Sequence, residues 1–314
     1  MSELTQLIDD LCSRSTGDDL WRNLEDTGLA RLTSRQDAGP ADAAVVLSGL
    51  AKHAAAVPIA ETDLLAVWLA DTVGLAVPAA GPLTVAIADA TERDGRITGT
   101  AHHVPWPTST VVLAARRSGA LHVALIDGVA QGSFPFDIPV GDTRVADIEV
   151  AAELTRRGAW ARCNQIVGAL DGACALTVAH TAERVQFGRT LNKFQAVQHS
   201  LAAMAGEIER ARAATALAVA AAADHGFGHA ATDYAVTVAK VAVGRAVDPV
   251  TTIAHQLHGA IGVTAEHRLW LYTMPARSWV DDFGTTATHA RRLGRMVLAA
   301  ADPWDVVVSC PAPR

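Results

Sequence analysis

Five stretches in the second half of the chain, residues 153–183, 193–224, 230–258, 265–275 and 285–300, carry small apolar residues at i, i+3 and i+4 spacing. That pattern winds into helices with one apolar face each, and several such helices bury their faces only against one another, as a bundle. The breaks fall at Phe187-Gly188, at Gly226-Phe227-Gly228 and between Gly259 and Gly262. Half of the 314 residues are hydrophobic but only 5% are aromatic, so Ala, Val and Leu must carry the burial. Ala-rich faces favour helix and permit close approach, and one left exposed suits a second subunit.

The opening segment is also helical in pattern. Leu4, Leu7, Ile8 and Leu11 share one face, a second short helix centres on Leu20, Trp21 and Leu24, and a third runs over 41–56 after Gly39-Pro40. A fourth, over 62–74 after Pro58, aligns Leu65, Trp68, Leu69 and Val73. Between Pro82 and Val150 the texture changes to short β-rich runs, LTVAI, ITGTAHHV, TVVLAA, ALHVALI and VADIEV. Turn signals at Arg93-Asp94-Gly95, Ser118-Gly119 and Val140-Gly141-Asp142 separate them, which predicts a small antiparallel sheet or barrel. The expected organisation is a shortened N-terminal helical domain at 1–80, a middle β-barrel-like domain at 81–151 and a C-terminal four-helix bundle at 152–314. No GxGxxG follows a strand, so a Rossmann site has no support.

Charge and cysteine usage narrow the function classes. Twenty-six Lys and Arg against 33 Asp and Glu give a net charge of −7 with no basic stripe, which removes nucleic acid and anionic membranes as partners. The N-terminus, MSELTQLIDDLCSRS, lacks the basic-then-apolar order of a signal peptide, and no apolar run reaches the ~18 residues of a spanning helix, so a cytoplasmic location is expected. Cys12, Cys163, Cys174 and Cys310 form no CxxC pair, in keeping with a reducing compartment. His102-His103, His225 with His229, and His255 with His258 have no acid or Cys in register, so they read as solvated or capping residues and no metal is expected. Trp270, Tyr272 and Trp279 are expected to pack the bundle.

Two motifs remain. Glu183-Arg184-Val185-Gln186-Phe187-Gly188-Arg189 precedes Phe194-Gln195-Ala196-Val197-Gln198-His199, and some 70 residues on comes Gln256-Leu257-His258-Gly259-Ala260-Ile261-Gly262. Read singly, the first is a helix C-cap at Gly188 beside a solvated Arg, and the second a glycine-rich turn with Thr264 capping the next helix. A turn rich in backbone N–H groups also binds phosphate. In sequence, order and separation, the two together resemble the C-terminal domain of the flavin-dependent acyl-CoA dehydrogenases, from Leu154 to about Arg295. That resemblance implies the family's three-part fold and an FAD shared at a subunit interface. It further implies that Arg184 pairs with the pyrophosphate, that Gln186 and Phe187 contact the dinucleotide with Gln195 nearby, and that Gln256 and Gly259 approach its adenosine diphosphate portion. The second Gly of the family's QxxGG is Ala260 here.

The departures from the family pattern point to a divided enzyme. The resemblance implies that a Glu must remove the substrate's α-proton, from one of two places. The commoner, in a YEGT-like motif, corresponds to Asp282-Phe283-Gly284-Thr285, where Phe283 stands in the Glu position; the other, within 158–163, shows Arg162 and no acid. No catalytic residue is therefore expected on this chain. The family's flavin-contacting TEPxxGSD has no counterpart in Ala86–Arg93, and its WxT strand becomes Val104-Pro105-Trp106-Pro107-Thr108. The chain is thus similar to the short β-type subunit of the heterotetrameric (α2β2) acyl-CoA dehydrogenases of actinobacterial steroid degradation. There a longer homologous subunit would supply the Glu, and the substrate would be a bulky, steroid-derived acyl-CoA. Two other readings stay open: a homomeric dehydrogenase with Asp281 or Asp282 as a displaced base, and a flavin-free scaffold paralogue.

Overall fold

The computed structural model describes residues 2–102, 104, 106, 110–127 and 132–308. Cys310, His103, Pro105, Pro107 and Thr108 lie outside them. The described chain divides into two compact units: residues 1–15, 40–56 and 159–314 form one, and 16–39 with 57–158 the other.

The first unit is helical. Its helices are α1 (Glu3–Arg14), α4 (Pro40–Lys52), most of α6 (Ile148–Glu183), α7 (Gln195–His225), α8 (Ala230–His258), α9 (Trp270–Trp279), α10 (Thr286–Ala299) and α11 (Pro303–Val308). Helix α8 runs over the residues that the periodicity predicts, because Gly226 ends α7 at φ 76° and His229 caps α8, its Nδ1 accepting from the Ala231 N–H at 3.1 Å. The core is built from small residues around a few large ones. Buried Trp160 donates its indole N–H to the Ala218 carbonyl at 3.2 Å and meets the Phe227 ring edge-on at 5.4 Å. At Gly168, α6 passes so near α4 that a Cβ would fall 2.1 Å from the Ser48 carbonyl oxygen. Tyr272 is buried as expected, whereas Trp270 is 43% exposed, its indole N–H tied to the Ala265 carbonyl at the rim.

The second unit holds α2 (Gly17–Asp26), α3 (Leu32–Arg35), α5 (Trp68–Thr72) and a six-stranded sheet. The helix expected over 62–74 opens instead as a π-helical segment, Ala60–Val67, buried along its whole length. Within it Asp63 accepts from the N–H and hydroxyl groups of both Thr33 and Ser34, at 2.7 to 3.0 Å, and so satisfies the start of α3. The strands are β1 (Thr84–Arg93), β2 (Arg96–Ala101), β3 (Thr110–Arg117), β4 (Ala120–Asp127), β5 (Phe134–Pro139) and β6 (Arg144–Asp147), in the order β5-β2-β1-β3-β4-β6.

Asp94-Gly95 and Ser118-Gly119 close two-residue hairpins with positive φ at both positions, as their sequences predict. The sheet is mixed rather than purely antiparallel, since β1 pairs parallel with β3. Strand β5, not anticipated, carries Pro135 and Pro139 and takes an edge, where a missing N–H costs no ladder bond. VADIEV is split: the strand stops at Asp147, whose carboxylate accepts from the Glu149 N–H and starts α6 at Ile148. Among the described residues no helix is long and apolar enough to cross a membrane.

Candidate functional site

The Arg184 motif is a hairpin, not a helix cap. Helix α6 ends at Glu183, and β7 (Val185–Gln186) pairs antiparallel with β8 (Arg189–Thr190). Phe187 (φ 51°) and Gly188 (φ 78°) are the two turn residues, so Gly188 serves a primed turn that the pairing of Gln186 with Arg189 demands. The Leu191 N–H donates to the Arg184 carbonyl at 2.9 Å and closes the base of the hairpin. A phenylalanine in the left-handed region costs about 1–2 kcal/mol, and this one is 91% exposed, so folding does not recover that cost by burying its ring. Phe194 stands edge-on to it at 6.2 Å, with the Arg189 guanidinium 4.2 Å over the Phe194 ring. Arg184, Gln186 and Gln195 are exposed, and among the described residues the Arg184 side chain has no hydrogen bond or ion pair.

The second motif ends α8. Gln256 is exposed, and Gly259 (φ 67°) turns the chain into a 3-10 segment, Gly259–Val263, with open space where its Cβ would stand. The sequence predicts that Thr264 caps the next helix, and it does not: its hydroxyl turns back to donate to the Ile261 carbonyl, and α9 starts only at Trp270. His258 is 5% exposed rather than solvated, because its ring stacks on His180 with centroids 4.5 Å apart. That stack places the end of α6 beside the end of α8, so the two motifs lie at one end of the helical unit. Burial pushes the His258 imidazole down to about 4, and burial with the neighbouring His267 lowers His180.

The two places that the resemblance assigns to a base also meet in this unit. Arg162, on α6 and 2% exposed, places Nε 2.8 Å from Asp282 Oδ2 and Nη1 2.6 Å from the Gln165 amide oxygen. Its guanidinium lies 5.8 Å from the centre of the Phe283 ring and 5.6 Å from that of Trp279. Lys240, buried on α8, donates to the carbonyls of Val280 and Asp282, both at 2.8 Å, and His289 approaches the Phe283 carbonyl at 3.3 Å. Burial lowers the Lys240 ammonium from its usual range. Pinned this way, Phe283 stands at φ 56°, a second phenylalanine in the left-handed region. Asp281 is exposed. Sequence reading did not single out Lys240, yet it is the one charged residue in Tyr234–Gly244, a signal of burial with a partner.

Chemically the two regions differ. Exposed Arg184, Gln186, Gln195 and Gln256 carry guanidinium and amide donors of the kind that anions and heterocycles accept from, and Gly259 bares its backbone. The 280–284 turn offers an aromatic ring and a carboxylate engaged by a buried guanidinium. Among the described residues no group of three or more His, Cys, Asp or Glu is placed to hold a metal ion.

Residues 130–298 match the family model described as acyl-CoA dehydrogenase, C-terminal domain. Acyl-CoA dehydrogenase IpdE2 of Mycobacterium tuberculosis is 31% identical over 278 residues, covering 82% of this chain and 80% of that relative. A chain of the ChsE4-ChsE5 complex from Mycobacterium tuberculosis superposes with a TM-score of 0.77 at 22% identity, covering 96% of this chain and 98% of that one. A chain of the Tcur3481-Tcur3483 steroid ACAD superposes at 0.75 and 23% identity, covering 94% and 97%.

Proposed function

Because the chain belongs to the acyl-CoA dehydrogenase family, we propose that it is the non-catalytic subunit of a heteromeric, FAD-dependent acyl-CoA dehydrogenase. A longer homologous subunit supplies the catalytic Glu, in an α2β2 assembly, and the substrate is a bulky, steroid-derived acyl-CoA. The observation that carries this reading is the 280–284 turn. At the family's Glu position stands Phe283, which accepts no proton, and the adjacent Asp282 spends its carboxylate on Arg162. A displaced base at Asp282 would first have to break that pair.

The dinucleotide end fits the cofactor. Arg184, Gln186 and Phe187 on the hairpin, Gln195 at the start of α7, and Gln256 with Gly259 at the end of α8 would hold the diphosphate and adenine of an FAD whose flavin lies in the partner subunit. Bound there, FAD supplies the acceptor for the hydride leaving the β-carbon. Arg184 offers a planar fork to the diphosphate, and the exposed Phe187 offers a flat apolar face to a base or sugar. Heteromeric relatives of the same fold support the division of labour, and the steroid ACAD among them supports the substrate class.

Co-expression with the long homologue and a visible spectrum test the reading. The complex should be yellow and oxidise an acyl-CoA, and this chain alone should be colourless and inactive. A yellow, active homomer would overturn the proposal in favour of a base on this chain.

A further inference from the structure

We propose that His180 and His258 are positioning residues that set the spacing between the Arg184 hairpin and the Gln256–Gly259 turn, and that they do so only while neutral. The proposal rests on reading that end of the unit as the dinucleotide site. Arg184 follows His180 by one helical turn, its N–H donating to the His180 carbonyl at 2.9 Å. His258 lies between Gln256 and Gly259 in the chain. The two imidazoles stack at 4.5 Å with 24° between their planes. His267, from the segment before α9, closes the third side, 4.6 Å from His258 and 6.3 Å from His180. Among the described residues no hydrogen bond or ion pair links 184–190 to 256–262, so the ring stack is the polar-group contact that registers one motif on the other.

The turn is folded directly over the buried ring. A Cβ at Gly262 would fall 2.6 Å from the His258 Cβ, so the 3-10 segment has no room to shift toward it. The His258 Nδ1–H donates to the Ala254 carbonyl at 2.8 Å, which fixes the tautomer and leaves Nε2 buried with no partner. A proton arriving at Nε2 would find no acceptor. The charged and titratable groups facing the cluster are His267, Arg184 and Glu183 around His180, and His180, His267 and His255 around His258. Only Glu183 is an acid, and Arg184 is already a cation, so protonating the stack places like charges 4.5 Å apart and pushes the two motifs away from each other.

The test is FAD titration of the flavin-stripped complex with the long partner, followed by flavin fluorescence at pH 7.5 and 4.0. In the natural chain the dissociation constant should rise about twofold on acidification, since His258 takes up its proton only near pH 4. At pH 7.5 His180→Ala and His258→Ala should each weaken binding about tenfold, whereas His258→Phe, which keeps a stacking ring without a titrating nitrogen, should bind as the natural chain does and lose most of the pH dependence. Arg184→Ala serves as the reference: if it leaves FAD affinity unchanged, the dinucleotide reading fails. If Arg184→Ala weakens binding while His180→Ala does not, or if His258→Phe keeps the full pH dependence, the positioning role is wrong. Hydrogen exchange on the chain alone gives a flavin-independent readout. The Leu191 amide, which closes the hairpin, should lose protection in His180→Ala and at pH 4.0, and unchanged protection in both would overturn the proposal.

Discussion

Arg162 and Asp282, 120 residues apart, meet at 2.8 Å with the arginine buried and the carboxylate 30% exposed. The asymmetry sets the expected cost of breaking the pair. Arg162→Met leaves a carboxylate that water can still reach, and Asp282→Asn leaves a guanidinium that water cannot. Both variants should destabilise the chain in urea, Asp282→Asn by about 3 kcal/mol and Arg162→Met by about 1 to 2 kcal/mol. Asp282→Asn should leave the turnover of the assembled complex within twofold. A loss of a hundredfold or more would mark Asp282 as a base.

On the proposed reading Phe283→Glu restores the missing acid, but beside Arg162, whose guanidinium lies 5.8 Å from the present ring. A new carboxylate there is drawn into a charge-assisted pair. The variant should fold with a stability change under about 1 kcal/mol and give this chain no dehydrogenase activity in a complex whose long subunit lacks its own Glu. Turnover in that complex would show a second site that lacked only its base.

Stability should fall on mild acidification. The folded chain holds the His258 imidazole down at about 4 against an ordinary 6.5, and burial lowers His180 and His289 in the same direction. Between those values the unfolded chain takes up protons that the folded chain refuses, so folding stability is full above about pH 6.5 and declines as the pH drops toward 4. Urea unfolding at pH 7.5 and 5.0 should differ by about 1 to 2 kcal/mol, and His258→Phe should shrink the difference. Equal stability at both values would count against buried neutral histidines.

Gly168→Ala tests the approach of α4 to α6. The added methyl would meet the Ser48 carbonyl oxygen at 2.1 Å, a backbone atom that cannot rotate away. A loss of about 3 kcal/mol is expected, read as a lowered midpoint in urea. Gly206→Ala, on the open side of α7, meets nothing within 4 Å and should instead be neutral or slightly stabilising.

Local chemistry was legible where neighbours in the chain decide the outcome. The helix of Ala230–His258 and the hairpin turns at Asp94-Gly95 and Ser118-Gly119 follow from spacing and residue type, and the two motifs carry a resemblance to the family whose C-terminal model residues 130–298 match. Strand β5 was hidden by its prolines, because only its edge position makes them harmless. The π-helical turn at Ala60–Val67 was hidden because its apolar residues also fit an ordinary helix. A glycine with positive φ ends helices and closes hairpins alike, so the chain alone lets Gly188 read as a helix cap, and only the pairing of Gln186 with Arg189 distinguishes the two.

By itself the sequence determined the family and the helical and β-rich stretches. The tertiary structure alone decided what surrounds those residues. Arg162 looks like an ordinary cation in the chain, the apolar run around Lys240 signals burial without naming a partner, and His180, His258 and His267 look like unrelated histidines. Their roles come from α6, α8 and the segments beside α9 converging, which brings charges and rings from 120 residues apart into a medium with little water. There an ion pair, a pinned turn and a neutral stack acquire energies that spacing along the chain does not encode.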